Sequence, residues 1–63
     1  MERTYVINIE ETNIVADFHY PDVVVIAIRK IFGDEAADKV EKWLGTNPID
    51  ATYRDEKFYI HCI

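Results

Sequence analysis

Sixty-three residues make a single domain at most, residues 1–63, and a chain of this size hides only about 60% of the surface that its unfolded form exposes. A formal net charge of −5 speaks against nucleic-acid binding, which needs a surplus of lysine and arginine to meet phosphates. A hydrophobic share of 49% is that of a folded chain rather than a disordered one, yet no run approaches the roughly 18 apolar residues of a membrane helix.

Burial at roughly 25 cal/mol per Å² barely offsets ordering entropy at this length, so small domains add disulfides, a metal or a second subunit. The one cysteine, Cys62, has no internal partner, and no Cys/His group has zinc-like spacing. No metal and no cofactor are expected, which leaves self-association. The start, Met-Glu-Arg-Thr-Tyr, lacks the basic-then-apolar plan of a secretion leader, so a cytoplasmic location is expected (the host cytoplasm if the chain is phage-encoded).

Residues 3–10 alternate, with Tyr5, Ile7 and Ile9 on one face and Thr4, Asn8 and Glu10 on the other, the period of a half-buried strand. Glu11, Thr12 and Asn13 suit a turn. Residues 13–20 alternate again, with Ile14, Ala16 and Phe18 facing inward, and complete a hairpin. Pro21 stops the ladder, and Asp22 suits the N-cap of a helix that begins at Val23.

Residues 23–28 pose the main ambiguity, because five of the six are β-branched and favour a strand. Against this, Arg29, Lys30, Ile31 and Phe32 carry the segment past ordinary strand length, Val24, Ala27, Ile28 and Ile31 share a helical face, and Gly33 stands where a helix ends. A helix is expected, with a third strand as the alternative. Residues 34–44 read as a second helix, capped by Asp34, apolar along Ala36, Ala37, Val40, Trp43 and Leu44, and closed by Gly45. On a single straight rod Val40 would lie roughly 160° around from Val24, so a bend at Gly33 is expected to let both helices pack on one sheet. Residues 49–54 and 57–63 form a second hairpin about Asp55 and Glu56, with Phe58, Ile60 and Cys62 inward. The order ββααββ (alternatively βββαββ) gives an α+β fold, a four-stranded antiparallel sheet with two short helices on one face.

Chemistry-bearing residues are few. His19 and His61 fall on outer strand faces and would approach each other only if the second and last strands were neighbours. His61 and Cys62 are adjacent on a strand and point to opposite faces, which prevents a thiolate–imidazole pair. Both glycines are used as helix ends, leaving none for a phosphate loop. No catalytic activity is expected.

The first helix carries Val23, Val24, Val25, Ile26 and Ile28 and is apolar around most of its circumference, more than one sheet and one short helix can cover. Val23, Val25, Ile26 and Phe32 are therefore the candidate homodimer seam. Asp34, Asp38 and Glu41 form an acidic stripe on the second helix, which with Tyr53 and Tyr59 is the candidate surface for a protein partner of basic character. The same helix, which also carries Glu35, allows two bland pairs, Glu35–Lys39 and Asp38–Lys42.

The expected function is a non-catalytic protein-binding inhibitor that acts as a homodimer. In kind, a small, acidic, isoleucine-rich chain with no catalytic set resembles the inhibitors that phages and prophages direct against bacterial defence proteins or host enzymes. The alternatives are an antitoxin-like or transcription-regulatory module and an acidic nucleic-acid mimic.

Overall fold

Alternating apolar residues in two hairpins, joined through two amphipathic segments, produce the order β1 (Tyr5–Ile9), β2 (Ile14–Phe18), α1 (Pro21–Phe32), α2 (Asp34–Leu44), β3 (Ala51–Arg54) and β4 (Phe58–Cys62) in a computed structural model that describes residues 3–63. Met1 and Glu2, where the leader was sought, lie outside the described residues. The ββααββ reading holds. Residues 23–28 are helical in spite of their β-branching, because a helix lets Val24, Val25 and Ile28 be buried together. A few tenths of a kcal/mol of lost propensity per residue is outweighed by that burial.

The four strands form one antiparallel sheet in the order β2-β1-β4-β3. The first and last strands, paired Tyr5↔Cys62 through Ile9↔Phe58, occupy the centre, and the two hairpin partners form the edges. The helices share the face that carries Tyr5, Ile7, Phe58, Ile60 and Cys62, and these five join Val24, Val25, Ile28, Ala37, Val40 and Leu44 in the core. Phe58 is its largest fully buried side chain, and it stacks on Phe32 from α1 at 4.6 Å and on Tyr53 from β3 at 6.2 Å between ring centroids.

The helix starts differ from expectation. Asp22 is not the cap of α1, because the helix already begins at Pro21, whose missing N–H costs nothing at the first position. Tyr20 precedes it in an extended conformation without a side-chain cap. Asp34 likewise is the first residue of α2 rather than its cap; that position belongs to Gly33. Gly33 has φ 99° and ψ −179°, a region that only glycine occupies comfortably, and there the chain turns from one helix into the next. Its N–H closes α1 on the Arg29 carbonyl, while its own carbonyl accepts the first bond of α2 from the Ala37 N–H.

Arg29 holds this bend. Its guanidinium donates to Asp34 at 2.7 Å and to Asp38 at 3.3 Å, both on α2, and the two carboxylates raise its already high pKa. The expected Glu35–Lys39 pair forms at 3.7 Å. The expected Asp38–Lys42 pair is not among those of the described residues, and Asp38 turns to Arg29 instead.

Candidate interaction surface

Eight large apolar side chains of the described residues are exposed, and six of them, Ile14, Val15, Tyr20, Val23, Ile26 and Ile31, lie on β2, on α1 or between the two. Isolated exposed apolar residues need no explanation, but six along two neighbouring elements make this part of the molecule the candidate surface.

Helix geometry shows how this side is built. Arg29 marks the flank of α1 that faces α2. At about 100° per residue, Ala27 lies roughly 160° around from Arg29, on the flank turned away from α2. Val23, Ala27 and Ile31 follow one another along that flank at i, i+4 and i+8. Because α1 packs on β2 while Trp43 of α2 meets Tyr53 of β3 at 5.5 Å, that flank overhangs the β2 edge. Ile14, on the helix-facing side of β2, is 53% exposed and Ile31 is 55% exposed.

The backbone of this edge is open as well. Ile63 donates to the Thr4 carbonyl at 2.9 Å and Glu10 to the Lys57 carbonyl at 3.1 Å, so the even-numbered residues of β1 turn their polar groups toward β4. Antiparallel ladders alternate, so Tyr5, Ile7 and Ile9 bond with Phe18, Ala16 and Ile14 of β2. Val15 and Asp17 therefore point their N–H and C=O groups outward. By the same alternation, Asp55 donates to Phe58 at 2.9 Å, and the outward residues of β3 are Thr52 and Arg54.

The seam candidates divide. Val23 and Ile26 reach the surface, Ile26 at 53% exposure. Val25 does not: it is 8% exposed within its own subunit and packs in the core, so it has almost no area left for a second copy. Phe32 is half-buried on Phe58 and serves mainly the same core. The expectation that one sheet and one helix leave α1 partly uncovered is met at Val23, Ile26 and Ile31 and not at Val24, Val25 or Ile28.

The five partner-binding candidates do not converge. Asp34 and Asp38 are tied to Arg29, and Glu41 is exposed further along α2. Tyr53 lies on the helix side of the sheet, half-buried between Trp43 and Phe58. Tyr59 lies on the opposite face, paired with Arg54, whose guanidinium sits 5.4 Å from its ring centroid. That helix-free face also carries Val6, Asn8, Val15, Asp17, Thr52 and His61.

The histidines stay apart because β1 runs between β2 and β4. His61 Nδ1 is 2.8 Å from the Thr52 hydroxyl, and His19 is exposed just beyond β2. Cys62 is fully buried, its thiol donating to the Pro48 carbonyl at 3.0 Å, and burial raises its pKa. Among the described residues no group of three or more His, Cys, Asp or Glu side chains is placed to hold a metal ion, and no helix is long and apolar enough to cross a membrane. An open groove of about 720 Å³ runs between α2 and the β3–β4 turn, past Phe32, Ala36 and Tyr53. Three acidic and three basic side chains line it, a balance that selects neither an anion nor a cation.

Comparison with protein-family models, curated proteins and solved structures finds no match to this chain.

Proposed function

We propose that this protein is a non-catalytic, protein-binding inhibitor that works as a homodimer and acts by covering a surface of its partner. One observation carries the reading: six of the eight large apolar side chains left exposed among the described residues belong to β2, to α1 or to the link between them. Such a patch binds by removing apolar area from water, a driving force that needs no reacting group. Ile26, on the outward pole of α1, offers the partner an apolar anchor. The acidic nucleic-acid mimic is the weaker reading, because Asp34 and Asp38 spend their charge on Arg29.

The test combines sedimentation with affinity capture from host lysate, using wild type and Ile26→Asp. Ile26 is exposed, so the substitution leaves the core intact. A dimer that retains a specific protein, whose capture Ile26→Asp weakens at least tenfold, is the expected outcome. A well-folded monomer at high concentration that retains no protein would sink the proposal.

A further inference from the structure

We propose that the second copy docks through β2, antiparallel to its own counterpart and centred on Ala16, so that two four-stranded sheets become one of eight strands. This rests on the reading of the chain as a dimeric binding protein and names the contact that makes the dimer.

Register follows from chemistry. The outward N–H and C=O groups of β2 belong to Val15 and Asp17, and a two-fold axis at Ala16 places Val15 opposite Asp17 of the other copy. Each such pair exchanges two hydrogen bonds, and symmetry supplies the pair twice. On the helix side the same register sets exposed Ile14 against Phe18 and Ala16 against Ala16. Shifting the axis to Asp17 would set two carboxylates face to face. Shifting it to Val15 would leave Phe18 opposite Thr12 in the turn.

The helices fit the same axis. Each α1 overhangs its own β2, so the pairing brings the two α1 flanks side by side and antiparallel. Val23 of one copy then meets Ile31 of the other, and Ala27, small and at the middle, lets the helices come close. One feature opposes association: the two Asp17 carboxylates lie diagonally across the axis at roughly 7–8 Å on the solvent face, a repulsion that salt screens.

The outward Val15 N–H does no work within the subunit, so proline is tolerated there as at any edge position whose N–H faces solvent. Val15→Pro removes two of the four inter-copy hydrogen bonds and should raise the dimer dissociation constant roughly 30-fold, at about 1 kcal/mol for each bond. Arg54→Pro, at the matching outward position of β3, should leave dimerisation unchanged. Ala16→Cys provides an independent readout. Facing residues of a non-hydrogen-bonded pair stand about 4.5 Å apart at Cα, within disulfide reach, so mild oxidation should link two copies covalently through position 16. Folding is monitored by circular dichroism throughout.

A dimeric wild type, a folded and dissociated Val15→Pro and a cross-linked Ala16→Cys together support the proposal. A folded Val15→Pro that stays dimeric, or an Ala16→Cys dimer that does not cross-link, overturns the β2 contact while the homodimer stands on another face. If Val15→Pro fails to fold, the Ala16→Cys cross-link decides alone. A wild type that stays monomeric removes both the contact and the dimer.

Discussion

The two edges of the sheet meet the same hazard in different ways. Both β2 and β3 turn unpaired backbone groups toward solvent, and an open edge recruits further strands unless something blunts it. The β3 edge is four residues long, presents Thr52 and Arg54, and is flanked by Asp50 and Asp55. Polar side chains and shortness are the usual protection. The β2 edge presents Val15 at 56% exposure beside Ile14, and its only charge is Asp17. One edge is shorter and polar, and the other is longer and apolar. The contrast is what favours β2 over β3 as the strand proposed to receive a second copy.

The largest expected effect comes from removing what the two sides share. Phe58 is touched by Phe32 from the β2–α1 side and by Tyr53 from the β3 side. Phe58→Ala should cost about 3–5 kcal/mol. At roughly 0.05–0.15 kcal/mol per residue, that is most of the stability a chain of this length has. Urea unfolding followed by Trp43 fluorescence and by circular dichroism should show both signals lost together at a much lower midpoint. If one signal survived, the two sides would be separate folding units, and comparing their edges within one domain would lose its basis.

A smaller loss is expected at the joint. Gly33 has open space around its Cα, so a Cβ would meet no neighbour, and the cost of Gly33→Ala is the backbone conformation alone. That strain is about 1–3 kcal/mol. Because the joint sets where α1 lies relative to α2, the variant should also loosen the Arg29 contacts to Asp34 and Asp38 and shift the flank that overhangs β2. Denaturant midpoints measure the first effect. The sedimentation of Gly33→Ala beside wild type measures the second, and an unchanged dimer would mean that the β2 edge does not depend on the helix above it.

Much of this architecture was legible beforehand, and the reasons differ between elements. Strand faces are local: Tyr5, Ile7 and Ile9 alternate, and so do Ile14, Ala16 and Phe18, so each inner face could be read without knowing its neighbours. Pro21 and Gly33 bracketed α1 even though residues 23–28 favoured a strand. What could not be read was relational. Arg29 reaches Asp34 and Asp38 only because of the angle at Gly33, which no periodicity encodes, so the i,i+4 rule pointed to Lys42 instead. The strand order made β2 and β3 the edges and parted His19 from His61, and it depends on which hairpin docks on which side. Val25 illustrates the same limit. An apolar arc on a helix reveals how much surface needs cover, and only packing decides which members of the arc obtain it.

The smallest effect is a pH dependence on the β3 side. Cys62 lies opposite Ala51, the first residue of β3, and bonds to Pro48 in the segment that leads into that strand. Desolvation is the main cause of its raised pKa, with Asp50 adding to it and Arg3 opposing it, against an ordinary value of 9.0. A thiol whose folded pKa lies above its unfolded one holds its proton longer in the folded state. Its contribution is therefore complete below the unfolded pKa and is lost as pH rises through the folded pKa. Denaturant midpoints should fall with a shallow slope above about pH 9 as the unfolded thiol ionises first. Cys62→Ala should flatten that slope at the cost of the Pro48 hydrogen bond, while Val15→Pro, on the far edge, should leave it as it is. A slope that persists in Cys62→Ala would assign the alkaline loss to another group and would leave β3 held by the packing of its Tyr53 on Trp43 rather than by the thiol.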